Sequence, residues 1–320
     1  MACADLAMYE AKETGRNRFE MYRPGEQGRE RVSARITEVD RIRLALEKDR
    51  LILFCQPILD LGRNEISQYE ILLRLPEENS DELLTPSAFL YVAERSGLIQ
   101  AIDGWVVRKA IRADRGARAG GVELVLNVNL SGKSIVDSSL AALIEETLAR
   151  TGIDPARLVL ELTETATIAN IEVTKAFAAR LRGRGCQFAL DDFGAGFGSF
   201  YYLKNFPFDY LKIDGHFVRG LATSPMDRLV VESIVGIARG MGKKTVAEFV
   251  ADEESARLLC GIGVDFAQGY HIGARGTSPR CCSWPDRPRS RHRRGCVSNV
   301  AAQIPLADPL RNEGTGLSSP

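Results

Sequence analysis

From Leu51 onward the chain alternates short apolar runs with amphipathic stretches, and that alternation restricts the available folds more than any single residue does. The apolar runs fall at 51–58, 66–75, 122–129, 157–163, 186–191, 208–213, 244–248 and 264–268. Helical periodicity covers about 86–96, 101–118, 138–151, 170–184, 198–205, 226–241 and 252–261. Strands separated by helices pair in parallel through crossover connections. Eight such repeats at this length favour an α/β fold, a closed (β/α)8 TIM-like barrel, over a doubly wound open sheet.

A strand buried on both faces is expected to be apolar throughout. Here nearly every run carries a polar residue inside it or at its C-terminal end. They are Gln56; Glu70 and Arg74; Asn127 and Asn129; Glu161 and Glu164; Asp191 with Asp192; Lys212 and Asp214; Glu248; and Gln268. Taken singly, a carboxylate at a strand end is more often a helix cap, Gln56 a satisfied core amide, and Gly194–Gly198 a plain turn. Recurrence at the same end of successive strands is not an accident of that kind, and in a barrel those ends meet on the face where such enzymes place their chemistry. Lys212 inside a strand is costly without an anionic partner, which carboxylates on the neighbouring strand could supply. Several carboxylates in one concavity repel unless their pKa values rise or divalent cations neutralise them. Oxygen donors without histidine or cysteine select Mg²⁺ or Mn²⁺ over Zn²⁺.

Composition narrows the partners. The 320 residues hold 42 basic and 42 acidic side chains, a formal net charge of zero, which argues against a nucleic-acid polymer or a membrane surface as the general ligand. Seven scattered cysteines without C-x-x-C spacing point to a reducing cytoplasm, and no run approaches the length of a membrane span or a signal peptide. The ends differ from the middle. Residues 1–25 read as one helix and one short strand. Residues 26–50 read as a linker, with a polar turn over Pro24–Glu30 and a helix over Val32–Glu47. Residues 275–320, with seven arginines and one acid between Arg275 and Arg294, read as a disordered extension after a barrel domain at 51–274.

The motifs in this barrel region resemble those of an EAL domain, the family of cyclic-di-GMP phosphodiesterases. In family order they are Glu70-Ile71-Leu72, NLS at Asn129, ELTE at Glu161–Glu164, DDFGAG at Asp191, LKID at Leu211–Asp214, AE at Glu248 and QGY at Gln268–Tyr270. The resemblance implies hydrolysis of cyclic-di-GMP to linear pGpG at a two-ion Mg²⁺ or Mn²⁺ site. Glu70, Asn129, Glu161 and Asp191 would hold one ion, Asp191 and Asp192 would form the second position, and Glu248 would complete the shell. Lys212 would orient the attacking water, so the catalytic set is Glu70, Lys212 and Glu248. Gln56, Arg74 and Gln268 would hold the dinucleotide or support the site, and Glu164 would anchor the loop Phe193–Ser199. Family members often pair, so a homodimer is also implied. Ala-Asp-x-Ala-Met-Tyr-x-Ala-Lys and Gly-Arg-Asn-Arg, within residues 1–25, resemble the end of a GGDEF (diguanylate cyclase) domain and read as a remnant without cyclase activity.

The chain departs from the family pattern in two places. Ala195, Phe197 and Gly198 stand where threonine, tyrosine and serine are usual, and Phe249 and Ala251 stand where glycine and glutamate are usual. If the glycine needs a positive φ or close packing, Phe249 would displace Glu248 and impair metal binding. The competing expectations are a catalytically weak receptor that binds cyclic-di-GMP without efficient turnover, and a decayed fragment.

Overall fold

The computed structural model describes residues 26–77, 82–119, 125–194, 200–273 and 276–277. The expected cyclase remnant at 1–25, the substituted loop positions 195–199 and the arginine-rich stretch from 278 lie outside the described residues.

Eight strands close into a ring: β1 (Ile52–Asp60), β2 (Glu65–Pro76), β4 (Leu126–Asn129), β5 (Leu158–Thr163), β6 (Gln187–Phe193), β7 (Tyr210–Ile213), β8 (Lys244–Ala247) and β9 (Phe266–Gln268). Short β3 (Leu83–Leu84) and β10 (Gly276–Thr277) flank it. From β2 through β9 the neighbouring ring strands run parallel. The expectation of an all-parallel ring fails at β1, which is antiparallel to both β2 and β9. The cause is the connection. Only Leu61–Asn64 separate β1 from β2, whereas a parallel crossover needs a dozen or more residues. Asp60 Oδ1 accepts from the amides of Gly62 and Arg63 at 2.9 Å, and Asn64 takes φ 55° to complete the turn.

Two further boundaries differ from the sequence reading. Helix α1 spans Glu26–Glu47, so the polar stretch expected as a turn is helical from Glu26. The end of α1 also belongs to the barrel domain, because Ile42 and Ala45 are buried in the main core. Just after it, Asp49 accepts from Trp105 Nε1 at 2.6 Å and pairs with Lys109 at 2.5 Å. At the other end Gly276 and Thr277, assigned by composition to the disordered stretch, pair with Cys55 and Phe54.

The outer helices begin and end where local chemistry dictates. Helix α2 (Pro86–Ser96) starts with proline at its first position and stops at Gly97, φ 75°. Helix α3 spans Ile99–Ala119, and α4 is the short Gly132–Ile135. Helix α5 (Ser138–Thr151) is capped by Asp137, and α6 (Glu164–Ala169) by Thr163, each side chain accepting a first-turn amide. Helix α7 is Ile171–Arg182, α8 is Phe200–Asn205 and α9 is Gly215–Gly220, capped by Asp214. Helix α10 (Pro225–Gly240) is capped by Ser224, and α11 (Glu253–Ile262) by Asp252. Helices α4, α6 and α9 are too short to leave a periodic signature.

Most apolar burial lies between the ring and these helices, around Phe188, whose ring meets Phe177 and Phe206 edge-on with centroids 6.2 Å apart. A separate small cluster of Ile58, Val246 and Phe266, with Tyr210 against it, plugs the barrel. Because side chains alternate along a strand, the residues two positions on point to the same interior. From Tyr210, Val246 and Phe266 those residues are Lys212, Glu248 and Gln268, and from Ile58, on the reversed strand, Gln56. The apolar plug thus forms the floor under the polar residues.

Truncating Phe188 removes a fully buried ring shared by two aromatic contacts. Phe188→Ala is expected to cost about 3–5 kcal/mol of unfolding free energy in urea titrations.

Candidate active site

The ring gathers the strand-end carboxylates around one cation. Lys212 Nζ, 1% exposed, lies 2.7 Å from Glu161 Oε2, 2.7 Å from Glu248 Oε1, 3.2 Å from Asp191 Oδ1 and 4.0 Å from Glu70 Oε1. Burial opposes the charge of Lys212, yet Asp191, Glu161, Glu248 and Glu70 outweigh it and hold the ammonium well above the usual lysine range. The carboxylates experience the opposite. Burial raises Glu161 well above its ordinary value despite Lys212, and burial with Asp191 and Glu70 nearby pushes Glu248 up to about 8.

Neighbouring strands fix the remaining members. Glu70 is held at both oxygens: Asn129 Nδ2 donates to Oε1 at 2.7 Å, and Gln268 Nε2 donates to Oε2. Gln268 Nε2 also reaches Gln56 Oε1 at 3.2 Å, and Gln56 stands opposite Glu70 in the β1–β2 register. One layer lower, Asn127 donates to Gln68 at 3.0 Å, so Asn127 is a satisfied interior amide.

Successive strand residues ordinarily face opposite ways, so Asp191 and Asp192 should not share a site. They do so because the β6–β7 register shifts between Leu190 and Phe193 and Asp192 adopts φ 55°. As a result one carboxylate oxygen from each of Asp191, Asp192 and Glu248 lies within 4.8 Å of the others. Burial and the neighbouring Asp191 and Asp214 raise Asp192 to about 6. The donor set is wholly oxygen, and Glu161 Oε1 is buried without a hydrogen-bond partner. Crowded carboxylates with raised pKa values and an unsatisfied oxygen fit hard divalent cations.

These groups open into a cleft of about 200 Å³, lined by Gln56, Glu70, Asp191, Asp192, Glu248 and Gln268 together with Leu72, Phe249, Gly269 and Tyr270. Arg74 does not line it. Its buried guanidinium sits 5.0 Å from the Phe54 ring centroid, and Nη1 donates to Leu73 O at 2.7 Å. Glu164 is buried at the start of α6 and accepts from Gly194 N at 3.4 Å, at the entrance of the loop it was expected to anchor.

The expected displacement of Glu248 does not occur. Phe249 takes φ 56°, the left-handed conformation that suits glycine, at a cost of about 1–2 kcal/mol, yet Glu248 keeps its ion pair with Lys212. The bend occurs at Phe249 itself. Val250 recovers the sheet by donating to Gln268 O at 2.9 Å, so the strained residue is bracketed by fixed backbone.

Sequence reasoning missed Asp103, on the buried stripe of α3. Its carboxylate accepts from Ser131 N at 2.9 Å and borders a second, largely apolar cavity of about 380 Å³. Leu72 lines both cavities. An acid between Ile102 and Trp105 on an otherwise apolar helix face was the available signal.

Lys212→Met leaves the carboxylates uncompensated and is expected to cost about 3–5 kcal/mol in chelator-treated protein near pH 8, with Mg²⁺ or Mn²⁺ restoring part of it in denaturant titrations. Asp103, raised by burial from 3.8 to about 6, binds its proton more tightly when folded. Its contribution is therefore fully present below pH 3.8 and is lost as pH rises through about 6. Between those limits wild-type stability should fall relative to Asp103→Asn by up to about 3 kcal/mol, read from paired urea titrations.

Comparison with known proteins places this geometry. The chain matches the EAL domain family over residues 39–275. It is 36% identical over 239 residues to the cyclic di-GMP phosphodiesterase PdeF of Escherichia coli K12, covering 75% of this chain and 32% of that protein. It is 37% identical over 273 residues to the cyclic di-GMP phosphodiesterase PdeB of Shewanella oneidensis MR-1, covering 84% of this chain and 32% of that protein. The chain thus spans about a third of the length of these curated relatives. Among solved structures, the PaMucR phosphodiesterase in complex with c-di-GMP superposes with a TM-score of 0.73 at 32% identity, over 77% of this chain and 99% of that one. The FimX EAL domain of Xanthomonas citri, also in complex with c-di-GMP, gives 0.73 at 31% identity over 78% and 96%. Matched to the family over residues 39–275, well over half its length, and superposing on solved EAL structures, the chain belongs to the EAL domain family.

Proposed function

We propose that the chain hydrolyses cyclic-di-GMP to linear pGpG with Mg²⁺ or Mn²⁺. The observation that carries this reading is the convergence of Glu70, Glu161, Asp191 and Glu248 on Lys212, with Asp192 beside Asp191 and Glu248, at one end of an EAL-family barrel. In it Glu70, Asn129, Glu161 and Asp191 hold one ion, Asp191 and Asp192 form the second position, and Glu248 completes the shell. Two bound ions would supply a water acidified toward neutral pH and neutralise charge on the attacking and leaving oxygens.

The chain's own groups do the rest. Lys212, locked among acids and strongly protonated, orients the water at its Nζ and offsets the anionic charge of the site. Gln268 and Asn129 fix Glu70 at its two oxygens, and Gln56, which lines the cleft and accepts from Gln268, holds the dinucleotide. The apolar cavity beside the cleft offers room for a purine, and the Asp103 carboxylate at its edge is an acceptor of the kind a guanine edge requires. Arg74, seated over Phe54 and outside the cleft lining, holds the dinucleotide through a phosphate. The reading includes a homodimer, which sedimentation equilibrium at micromolar concentration tests.

Purified chain should convert cyclic-di-GMP to pGpG, resolved chromatographically, in Mg²⁺ or Mn²⁺ but not in chelator. Glu70→Ala should lower kcat/KM by about 10²-fold or more, the equivalent of several kcal/mol of transition-state stabilisation. Retained binding of the dinucleotide without turnover in the wild type would replace the enzyme with a receptor.

A further inference from the structure

Phe249 combines three properties that packing alone does not explain. Its backbone is in the left-handed region, φ 56°, where side chains are disfavoured. Its side chain gains little burial in return, since it remains 47% exposed. Yet the ring is firmly seated. Gly215, at the start of α9, has no Cβ, and one built there would overlap the Phe249 ring. On α9 the Arg219 guanidinium lies 4.8 Å from the ring centroid, itself held by Nε donating to Gly215 O at 3.1 Å. Strained residues that the surroundings hold in place are concentrated at functional sites, and this one follows Glu248 directly and lines the carboxylate cleft.

The polar groups in the cleft are suited to metal and phosphate, and its apolar faces come from Leu72, Phe249 and Tyr270, of which Phe249 alone directly follows a carboxylate of the cluster. Carboxylates and amides offer nothing to the apolar face of a nucleobase, whereas an exposed aromatic ring does. We infer that Phe249 is a binding residue for the dinucleotide, a shelf on which one of its bases stacks, with Arg219 backing the ring and Gly215 making room for it. Arg219 adds favourable electrostatics, because a guanidinium on one side of the ring stays close to an anionic ligand without entering the metal cluster. The inference deepens the phosphodiesterase reading and rests on it.

The test uses the full chain with Mg²⁺, measuring KM and kcat for cyclic-di-GMP beside the melting temperature. Phe249→Gly should raise KM about tenfold, the loss of one base–aromatic stack, and leave kcat within about twofold. Its melting temperature should hold or rise, because glycine relieves the positive φ. Phe249→Tyr should keep KM near wild type. Gly215→Ala, which crowds the ring, should raise KM in the Phe249 chain and have no further effect in Phe249→Gly. An unchanged or lower KM in Phe249→Gly, or a Phe249→Tyr as impaired as Phe249→Gly, overturns the assignment. If wild type shows no turnover, equilibrium dialysis of cyclic-di-GMP replaces KM, and the same ratios between variants are required. Absence of both turnover and binding in wild type defeats the phosphodiesterase reading and this inference together; a wild type that binds while Phe249→Gly binds equally defeats this inference alone.

Discussion

The ion cluster at Lys212 is the interaction on which the site depends. One fully buried ammonium stands within 4.0 Å of four carboxylates, three contributed by β2, β5 and β6 and the fourth by the residue that follows β8. In the low-dielectric barrel interior none of these charges is affordable alone, and their mutual dependence couples β2, β5, β6, β7 and β8 at a single point. The arrangement remains short of positive charge, which is why burial keeps Glu161 and Glu248 raised even with Lys212 beside them. A divalent ion would answer that deficit.

The barrel interior is arranged by the period of the strand. Ile58, Tyr210, Val246 and Phe266 close the floor, and the next inward-facing residue on each strand is polar. Below the charged layer the interior holds this apolar cluster together with the hydrogen-bonded amides of Asn127 and Gln68. The plug also limits relaxation of the charged layer, so the acids cannot separate by sinking into the barrel.

Much of this was legible in the sequence because it follows from local rules. Alternating periods located the eight ring strands and the longer helices, and the strand-end acids Glu161, Asp191 and Glu248 with Lys212 identified the chemical face. The direction of β1 was missed although the signal was present: the seven residues left between the runs at 51–58 and 66–75 cannot form a crossover helix. The sharing of one site by Asp191 and Asp192 depends on a register shift and a positive φ, which adjacent aspartates do not encode by themselves. Phe249 illustrates a different limit. A left-handed backbone there was one of two conditions posed, and φ 56° meets it, but the displacement of Glu248 does not follow, because the space offered by Gly215 comes from another strand–helix junction.

The reversal of β1 also determines where the chain enters the barrel. Since β1 runs against its neighbours, its first residue pairs with Arg74, at the rim toward which the parallel strands point, rather than at the floor. Helix α1 therefore arrives at the working end and is clasped there through Asp49 to Trp105 and Lys109 of α3, the same helix that carries Asp103. Helix α1 is thus fixed at two levels at once, by Ile42 and Ala45 in the core and by Asp49 beside the rim, so the segment that leads into the barrel is built into the end that carries the cleft.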